Sequence, residues 1–400
     1  MSGSLSVVVV GGGIGGLTAA LALSRAGHDV RVVEQAAGAT EVGAGIQLAP
    51  NATRVLRELG VLEAIERVAV RPEAFEFRRW DDGRLLSSTP LGASIERTYG
   101  APYLHVHRAD LVRVLADALP AGRVETGRRC AGVAQRPGGA WLGFTDGSGA
   151  DVDLVVGADG IHSAVRESLF GPRAARFTGH AAYRGLVPAE RVAGLGPGRR
   201  ATVNVGPGAH LVHYYVAGGR LLNVVCVVEE GSWTRESWTD TGDPRQLRAA
   251  FAGWHPTVRA VIEALDRPLK WAVFDRDPLP RWGAGAVTLL GDACHPMPPY
   301  AAQGAGQAIE DAAALAGCLD GAADVPGALV RYAELRRPRT ARVQAMSRDN
   351  GTRFHLPDGP DQLARDEAMA SSFGISPDVD WLYGQPTTIS SGGRERARHG

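Results

Sequence analysis

Residues 5–34, LSVVVVGGGIGGLTAALALSRAGHDVRVVE, decide the fold class. The run Val7 to Val10 reads as a short strand buried on both faces. A glycine cluster follows, and apolar periodicity from about Gly15 to Ala26 predicts a helix, with Gly27 placed to cap its C-terminus. Residues 29–34 alternate and predict a second strand, so the chain opens as a βαβ unit. Gly11, Gly13 and Gly16 match GxGxxG, Gly15 lies inside the motif, and Glu34 ends the second strand. Glycines there let backbone approach a pyrophosphate, and the helix N-terminus favours its charge. An acid about 20 residues on can accept hydrogen bonds from a ribose diol and argues against a 2′-phosphate. The plainer alternative is a glycine-rich turn without ligand. Strand, helix and acid falling in place together favour a dinucleotide.

Further along, Asn51 is placed to cap a helix carrying Val55, Leu56 and Leu59 and ended by Gly60. YLHVH (103–107) reads as a strand followed by a helix from Asp110 to Leu119. DVDLVV (151–156) reads as one strand running into a turn at Gly157–Gly160 and then a helix. After about residue 172 the chain becomes rich in Val, Tyr and Thr. HLVHYYVAGGRLLNVVCVV predicts a hairpin turning at Ala217-Gly218-Gly219-Arg220. Residues 245–266 return to helical periodicity, AVTLL (286–290) is a buried strand, and 301–319 is an Ala-rich helix. An α/β pattern interrupted by a β-rich block means one domain interrupted by another.

Composition narrows the function. The 400 residues carry 43 Lys+Arg against 43 Asp+Glu, so neither nucleic acid nor an anionic membrane is a favoured partner. Glycine, at 52 residues, is nearly twice the usual ~7%. Lys270 is the only lysine, which removes a Walker lysine and leaves Schiff-base chemistry one candidate. Cys130, Cys226, Cys294 and Cys318 are far apart and form no CxxC, which suggests no disulfide framework or zinc cluster and fits a reduced cytoplasmic setting. The N-terminus lacks a signal-peptide pattern, and no run approaches the ~20 apolar residues of a membrane helix. Residues 388–400, TISSGGRERARHG, read as a loose tail.

Two Gly-Asp turns follow buried strands: Gly157-Ala158-Asp159-Gly160, extended as IHSAVR to Arg166, and Gly291-Asp292-Ala293. Each puts a carboxylate at a strand's C-terminal end, where α/β folds bind ligands. Asp292 also precedes the helix at 301–319, whose start, marked by Gly304, Ala305 and Gly306, favours anions. Either turn alone is equally an ordinary β-turn.

Together GGGIGG with Glu34, Arg108 after YLHVH, GADGIHSAVR and GDACHPMPPYAAQGAGQAIEDA resemble the single-component FAD-dependent aromatic hydroxylases, the family that includes p-hydroxybenzoate hydroxylase. The resemblance spans about residues 5–345. EVGAGIQLAPNA (41–52), AAYRG (181–185), LVHYYVAGGRLLN (211–223) and WLYG (381–384) sharpen it toward the branch of salicylate hydroxylase, 3-hydroxybenzoate 6-hydroxylase and 6-hydroxynicotinate 3-monooxygenase. It implies a Rossmann-like FAD-binding domain interrupted by a β-sheet substrate domain, with a C-terminal helical segment. The implied division is FAD-binding parts at 1–72, 103–175 and 281–345, substrate-domain strands at 73–102, a β-rich substrate domain at 176–280, and a C-terminal segment with its tail at 346–400. By the resemblance Glu34 binds the adenosine ribose, Arg108 lies beside the pyrophosphate or ribityl chain, and Asp292 bonds the ribityl hydroxyls. Asp159 belongs to a motif associated with FAD and nicotinamide nucleotide, and Pro299 abuts the flavin. With one GxGxxG only, NADH or NADPH is a transient co-substrate beside O₂.

On the strand 210–216, His210, Val212, Tyr214 and Val216 share one face and Leu211, His213 and Tyr215 the other. Spacing does not choose between them. The resemblance favours His210 and Tyr214 as catalytic and substrate-binding, and a neutral imidazole near its unperturbed pKa of about 6.5 can take a phenol proton. A surface histidine on a sheet is the plainer reading. His210 and His213 point oppositely on a strand, so their HxxH spacing predicts no metal. No GxSxG elbow points to a hydrolase. Gln47 and Tyr300 are placed to line the pocket or simply to pack. Some relatives carry His at those positions, or Gln at 299, which weakens a 6-hydroxynicotinate or 3-hydroxybenzoate assignment. The expectation is a cytoplasmic monomer or homodimer that hydroxylates a small phenolic acid, salicylate-like, through a flavin hydroperoxide. The alternatives are a tailoring oxygenase for a larger phenol, an NAD-dependent dehydrogenase and a non-catalytic flavin-fold binder.

Overall fold

Val7–Val10 are buried because their strand, Ser6–Val10, lies inside a six-stranded sheet. Its order runs Gly283–Ala284, Val287–Leu289, Leu154–Gly157, Ser6–Val10, Asp29–Glu34, Val124–Thr126, all neighbours parallel except the first pair. The computed structural model describes residues 3–38, 44–231, 233, 241–371 and 377–385. The tail at 388–400 and the first residues of the 41–52 motif lie outside them.

The helix Ile14–Arg25 packs across this sheet, and Gly27 turns left-handed (φ +91°) just after its end, as the sequence predicts. DVDLVV, by contrast, is two strands. Gly149–Val152 belongs to a three-stranded antiparallel sheet and Leu154–Gly157 to the parallel one. The break falls at Asp153, whose carboxylate accepts from the Ser6 amide (2.8 Å). Alternation suits the half-exposed edge, and an unbroken apolar run suits burial on both faces.

Asn51 is not a cap. The helix is Pro50–Glu58, with Ala49 at its N-cap and Pro50 supplying a preset φ. Asn51 is buried and donates instead to Gln303 Oε1 (3.0 Å) and Glu310 Oε1 (2.5 Å). The helix expected from Asp110 runs Arg108–Asp117, and 245–266 is two helices, Pro244–Ala250 and Pro256–Glu263. The Ala-rich helix begins at Gly304, because Pro299–Ala301 form a 3₁₀ turn and Ala302 is left-handed (φ 52°).

The β-rich block is a seven-stranded sheet of order Leu269–Asp275, Arg176–Pro188, Leu221–Glu229, Ala209–Val216, Arg200–Gly206, Ala74–Arg79, Leu85–Pro90. The predicted hairpin is present, with Val216 opposite Leu221 across the turn. At the sheet edge Lys270 pairs with Glu230 (2.8 Å), its ammonium 5.0 Å from the Tyr183 ring centre. Helices Val325–Phe354, Pro360–Ser371 and Pro377–Gly384 complete the described chain. Among the described residues no helix is long and apolar enough to cross a membrane.

The helices Gly304–Leu319 and Val325–Phe354 meet through buried charge. Arg336 donates from Nε to Asp311 (2.7 Å) and from Nη1 to Glu310 (2.6 Å). Arg339 donates to both Glu310 oxygens (2.6 and 3.0 Å) and to the Leu382 carbonyl (2.7 Å). Burial alone would raise the Glu310 and Asp311 carboxyls. The neighbouring groups, Arg336 with Arg339 on Glu310 and His295 with Arg336 on Asp311, outweigh it and hold both below the ordinary range. Removing one partner strands a buried charge. Arg336→Met should therefore cost roughly 3–5 kcal/mol in urea unfolding. A loss below about 1 kcal/mol would show that the cluster tolerates an unpaired acid. Since the folded-state pKa values are depressed, the cluster's contribution is present above the unfolded carboxylate pKa of about 4 and disappears as pH falls through the lower folded values.

Candidate active site

A cavity of about 490 Å³ opens where the end of the parallel sheet faces the seven-stranded sheet. On the first side stand Gly13, Gly15, Arg108, Asp292, Gly304 and Ala305. The other side presents Gln47, Arg184, His210, Tyr214 and Trp271, with Pro299 and Tyr300 between.

The glycines serve different ends. A Cβ on Gly11, whose φ is +110°, would lie 2.4 Å from the Ala158 carbonyl, and one on Gly16 would lie 2.0 Å from the Gly11 carbonyl. Gly16 lets the helix lie against the end of its strand, and Gly11 lets that strand end approach the turn after the neighbouring strand Leu154–Gly157. Gly13 has nothing within 4 Å of a Cβ position, and it is the glycine that leaves room for a ligand. Glu34 sits behind the loop, accepting from the Gly12 amide (2.7 Å) and the Ala36 amide (2.8 Å). Its carboxylate is thereby fixed at the end of the strand Asp29–Glu34. Gly11, Gly16, Glu34 and Asp159 do not line the cavity itself.

Asp159 is turned into its own loop, accepting from Ser163 Oγ (2.5 Å) and the Val165 amide (3.2 Å). Burial raises its pKa, and the Ser163 bond opposes the rise. Arg166, at the end of the same motif, donates to the Ala293 carbonyl (3.1 Å) and the Ile161 carbonyl (2.8 Å), tying one Gly-Asp turn to the other. Asp292 is exposed on the cavity wall. Desolvation by the protein packed around that wall raises its carboxyl pKa, while His295 and Arg108 pull the other way. Asp311 braces this turn by accepting from the Gly291 amide (3.1 Å) and pairing with His295 (2.6 Å).

Across the cavity, the strand Ala209–Val216 presents His210, Val212 and Tyr214 inward. His213 is buried on the opposite face near Arg78. The Tyr214 hydroxyl engages Gln47, whose Oε1 also accepts from Tyr103 (2.6 Å). A Cβ on Gly45 would lie 2.6 Å from the Tyr214 ring, so the strand Gly45–Leu48 approaches only because glycine stands there.

His210 is no surface histidine. It is 2% exposed, with Nδ1 2.7 Å from His355 Nε2. Burial first, then His355 and His180, push its pKa well below 6.5. An imidazole of ordinary basicity was expected, and burial overturns that expectation. Tyr300 packs edge-on against it, ring centres 5.3 Å apart.

Arg184 escaped the sequence reading, although AAYRG was noted. Its guanidinium lies over Trp271 (4.4 Å) and makes no ion pair or hydrogen bond among the described residues, with Nε buried and unpartnered. Burial and then Arg108 lower its pKa to about 10, so it stays charged at neutral pH. A part-buried cation that lines a cavity and has no partner among the described residues suits an anion.

A family model described as FAD binding domain matches residues 4–189 and 226–347. A 3-amino-4-hydroxybenzoate 2-monooxygenase of Streptomyces platensis is 48% identical over 380 residues, covering 94% of this chain and 95% of the relative. A 6-hydroxynicotinate 3-monooxygenase of Bordetella bronchiseptica is 40% identical over 354 residues, covering 88% and 92%. Among solved structures, Klebsiella pneumoniae HpxO complexed with FAD and uric acid superposes with a TM-score of 0.85 at 30% identity, covering 96% of this chain and 97% of that one.

The glycine geometry is checkable. Gly16→Ala should lower the flavin-to-protein ratio of purified enzyme at least roughly tenfold, because helix and turn must separate to admit the methyl. Full flavin content would refute the contact.

Proposed function

This chain belongs to the FAD-dependent aromatic monooxygenases, and from that premise we propose that its substrate is a phenolic benzoate of the 3-amino-4-hydroxybenzoate type. The observation that carries the reading is Arg184, a part-buried guanidinium with no ion pair or hydrogen bond among the described residues, in the same cavity as His210 and Tyr214. It would take the substrate carboxylate, as guanidinium and carboxylate pair bidentately. Trp271 beneath it holds the guanidinium plane. The salicylate-like expectation gives way to an aminohydroxybenzoate because the Streptomyces relative, nearly half identical over almost the whole chain, carries that name. A cavity of about 490 Å³ shared with a flavin ring favours one aromatic ring over a larger phenol.

Bound FAD supplies the redox chemistry, with NAD(P)H as reductant and O₂ as oxygen source. The residues present fit it: Gly13 leaves an open approach, and the start of the helix Gly304–Leu319 faces the same space. In this reading Gly11, Gly13, Gly15, Gly16, Glu34, Arg108, Asp292, Gly304 and Ala305 hold the cofactor, and Asp159 acts through the shape of its turn. His210 takes the phenol proton, which makes the ring electron-rich where oxygen is added. Tyr214, steadied by Gln47, orients the phenol oxygen, and Pro299 and Tyr300 close the ring's other side. Val203, Val225 and Val227 keep that side of the cavity dry. The division into nucleotide and substrate parts follows the two large sheets.

The test compares substrates. 3-Amino-4-hydroxybenzoate should stimulate NAD(P)H oxidation and yield a product heavier by one oxygen. Tighter coupling to salicylate would overturn the amino assignment. Arg184→Gln should raise KM for the acid roughly 10- to 100-fold, the worth of one charged hydrogen-bonded pair, yet leave the carboxyl-free aminophenol unaffected. Equal effects on both would remove Arg184 from carboxylate binding.

A further inference from the structure

Taking a proton leaves His210 with a difficulty. Its ring is packed by Tyr300, Phe354 and His355, and no carboxylate contacts it among the described residues. An imidazolium there would be a buried charge without a counter-ion, which is costly. The proton must move on.

Its next acceptor is in place. His210 Nδ1 lies 2.7 Å from His355 Nε2, leaving His210 Nε2 for the cavity. His355 ends the helix Val325–Phe354, and its carbonyl accepts from the Gly208 amide (3.0 Å), which pins it beside the strand that carries His210. His355 Nδ1 makes no hydrogen bond and lies 3.8 Å from Glu229 Oε1, just beyond direct reach, a gap that a small swing of the exposed carboxylate closes. Glu229 ends its strand with the side chain 61% exposed. The titratable groups facing this line are His180, its ring 4.7 Å from His355, and Tyr300.

We propose that His210, His355 and Glu229 form a proton conduit joining the active-site cavity to solvent. The proposal rests on the reading of His210 as the group that receives the phenol proton. The phenol O–H breaks and its proton bonds to His210 Nε2. The proton on His210 Nδ1 passes to His355 Nε2, and the proton on His355 Nδ1 passes to the Glu229 carboxylate, once that exposed side chain closes the gap, and on to the bulk. One proton enters, one leaves, and both rings stay neutral in their other tautomers. Reprotonation of the product phenolate runs the line backwards and resets it. Burial holds His210, His355 and His180 neutral, so a concerted shift is favoured over a stored charge. His355 and Glu229 are thus positioning and relay groups, 145 and 19 residues from the base they serve.

The probe is 4-hydroxy-3-nitrobenzoate, whose ionisation is visible, mixed with FAD-loaded enzyme at mildly acidic pH where the free ligand is still a phenol. Glu229→Gln and His355→Gln should slow the absorbance change at least roughly tenfold, with flavin content and ligand Kd unchanged. A small carboxylate buffer should restore the rate of the Glu229 variant. Should His210→Gln alone slow ionisation, with the other two at wild-type rate, the conduit is overturned and the role of His210 stands. Should His210→Gln ionise the probe at wild-type rate, the underlying reading falls and the conduit with it. The exposed Glu229 position keeps the test decisive if the buried His355 variant fails to fold.

Discussion

Four charges sealed inside the protein hold it in register. Glu310 and Asp311 on one helix meet Arg336 and Arg339 on the next, and none of them can leave alone. Everything near the cofactor side hangs from this contact. Asp311 reaches the Gly291 turn and so sets where Asp292 points. Glu310 reaches Asn51 and anchors the helix that follows the Gln47 strand. The same contact fixes the helix Val325–Phe354, whose 30 residues span about 45 Å. Arg336 and Arg339 clamp its first half. His355 at its far end is delivered to the substrate side by that rigid rod.

The cavity itself sorts charge by partner. Three imidazoles cluster there, His210 on the cavity wall with His355 and His180 behind it, and burial lowers the pKa of each. Arg184 meets the same burial but keeps its charge, since an ordinary pKa near 12.5 leaves room to fall to about 10. His210 and the cationic Arg184 therefore stand on one wall, on the strands either side of Leu221–Glu229. In the proposed reading a phenolic benzoate would turn its carboxylate toward Arg184 and its hydroxyl toward His210.

Local signals were legible where their cause was local. The βαβ opening, the hairpin turning at 217–220 and the Gly-Asp turns were all readable from neighbours a few residues apart. Asn51 was misread as a cap because its true partners, Gln303 and Glu310, stand more than 250 residues away. DVDLVV was read as one strand because its change from alternation to an unbroken apolar run spans too few residues on either side to mark a change of sheet. Within the candidate site, alternation placed His210 and Tyr214 on a common face, and only the packing of two sheets chose that face. Arg184 and His355 carried no pattern of their own. One is defined by lacking a partner and the other by touching a histidine far away in sequence, and neither fact belongs to a stretch of residues.

The near-absence of lysine has a practical side. Lys270 carries the one side-chain primary amine, and Glu230 and Tyr183 occupy it as long as the sheet edge is closed. Amine-directed side-chain chemistry therefore reaches Lys270 only when that edge opens. The chain carries its own single-site reporter of local unfolding, readable by mass without introducing a label.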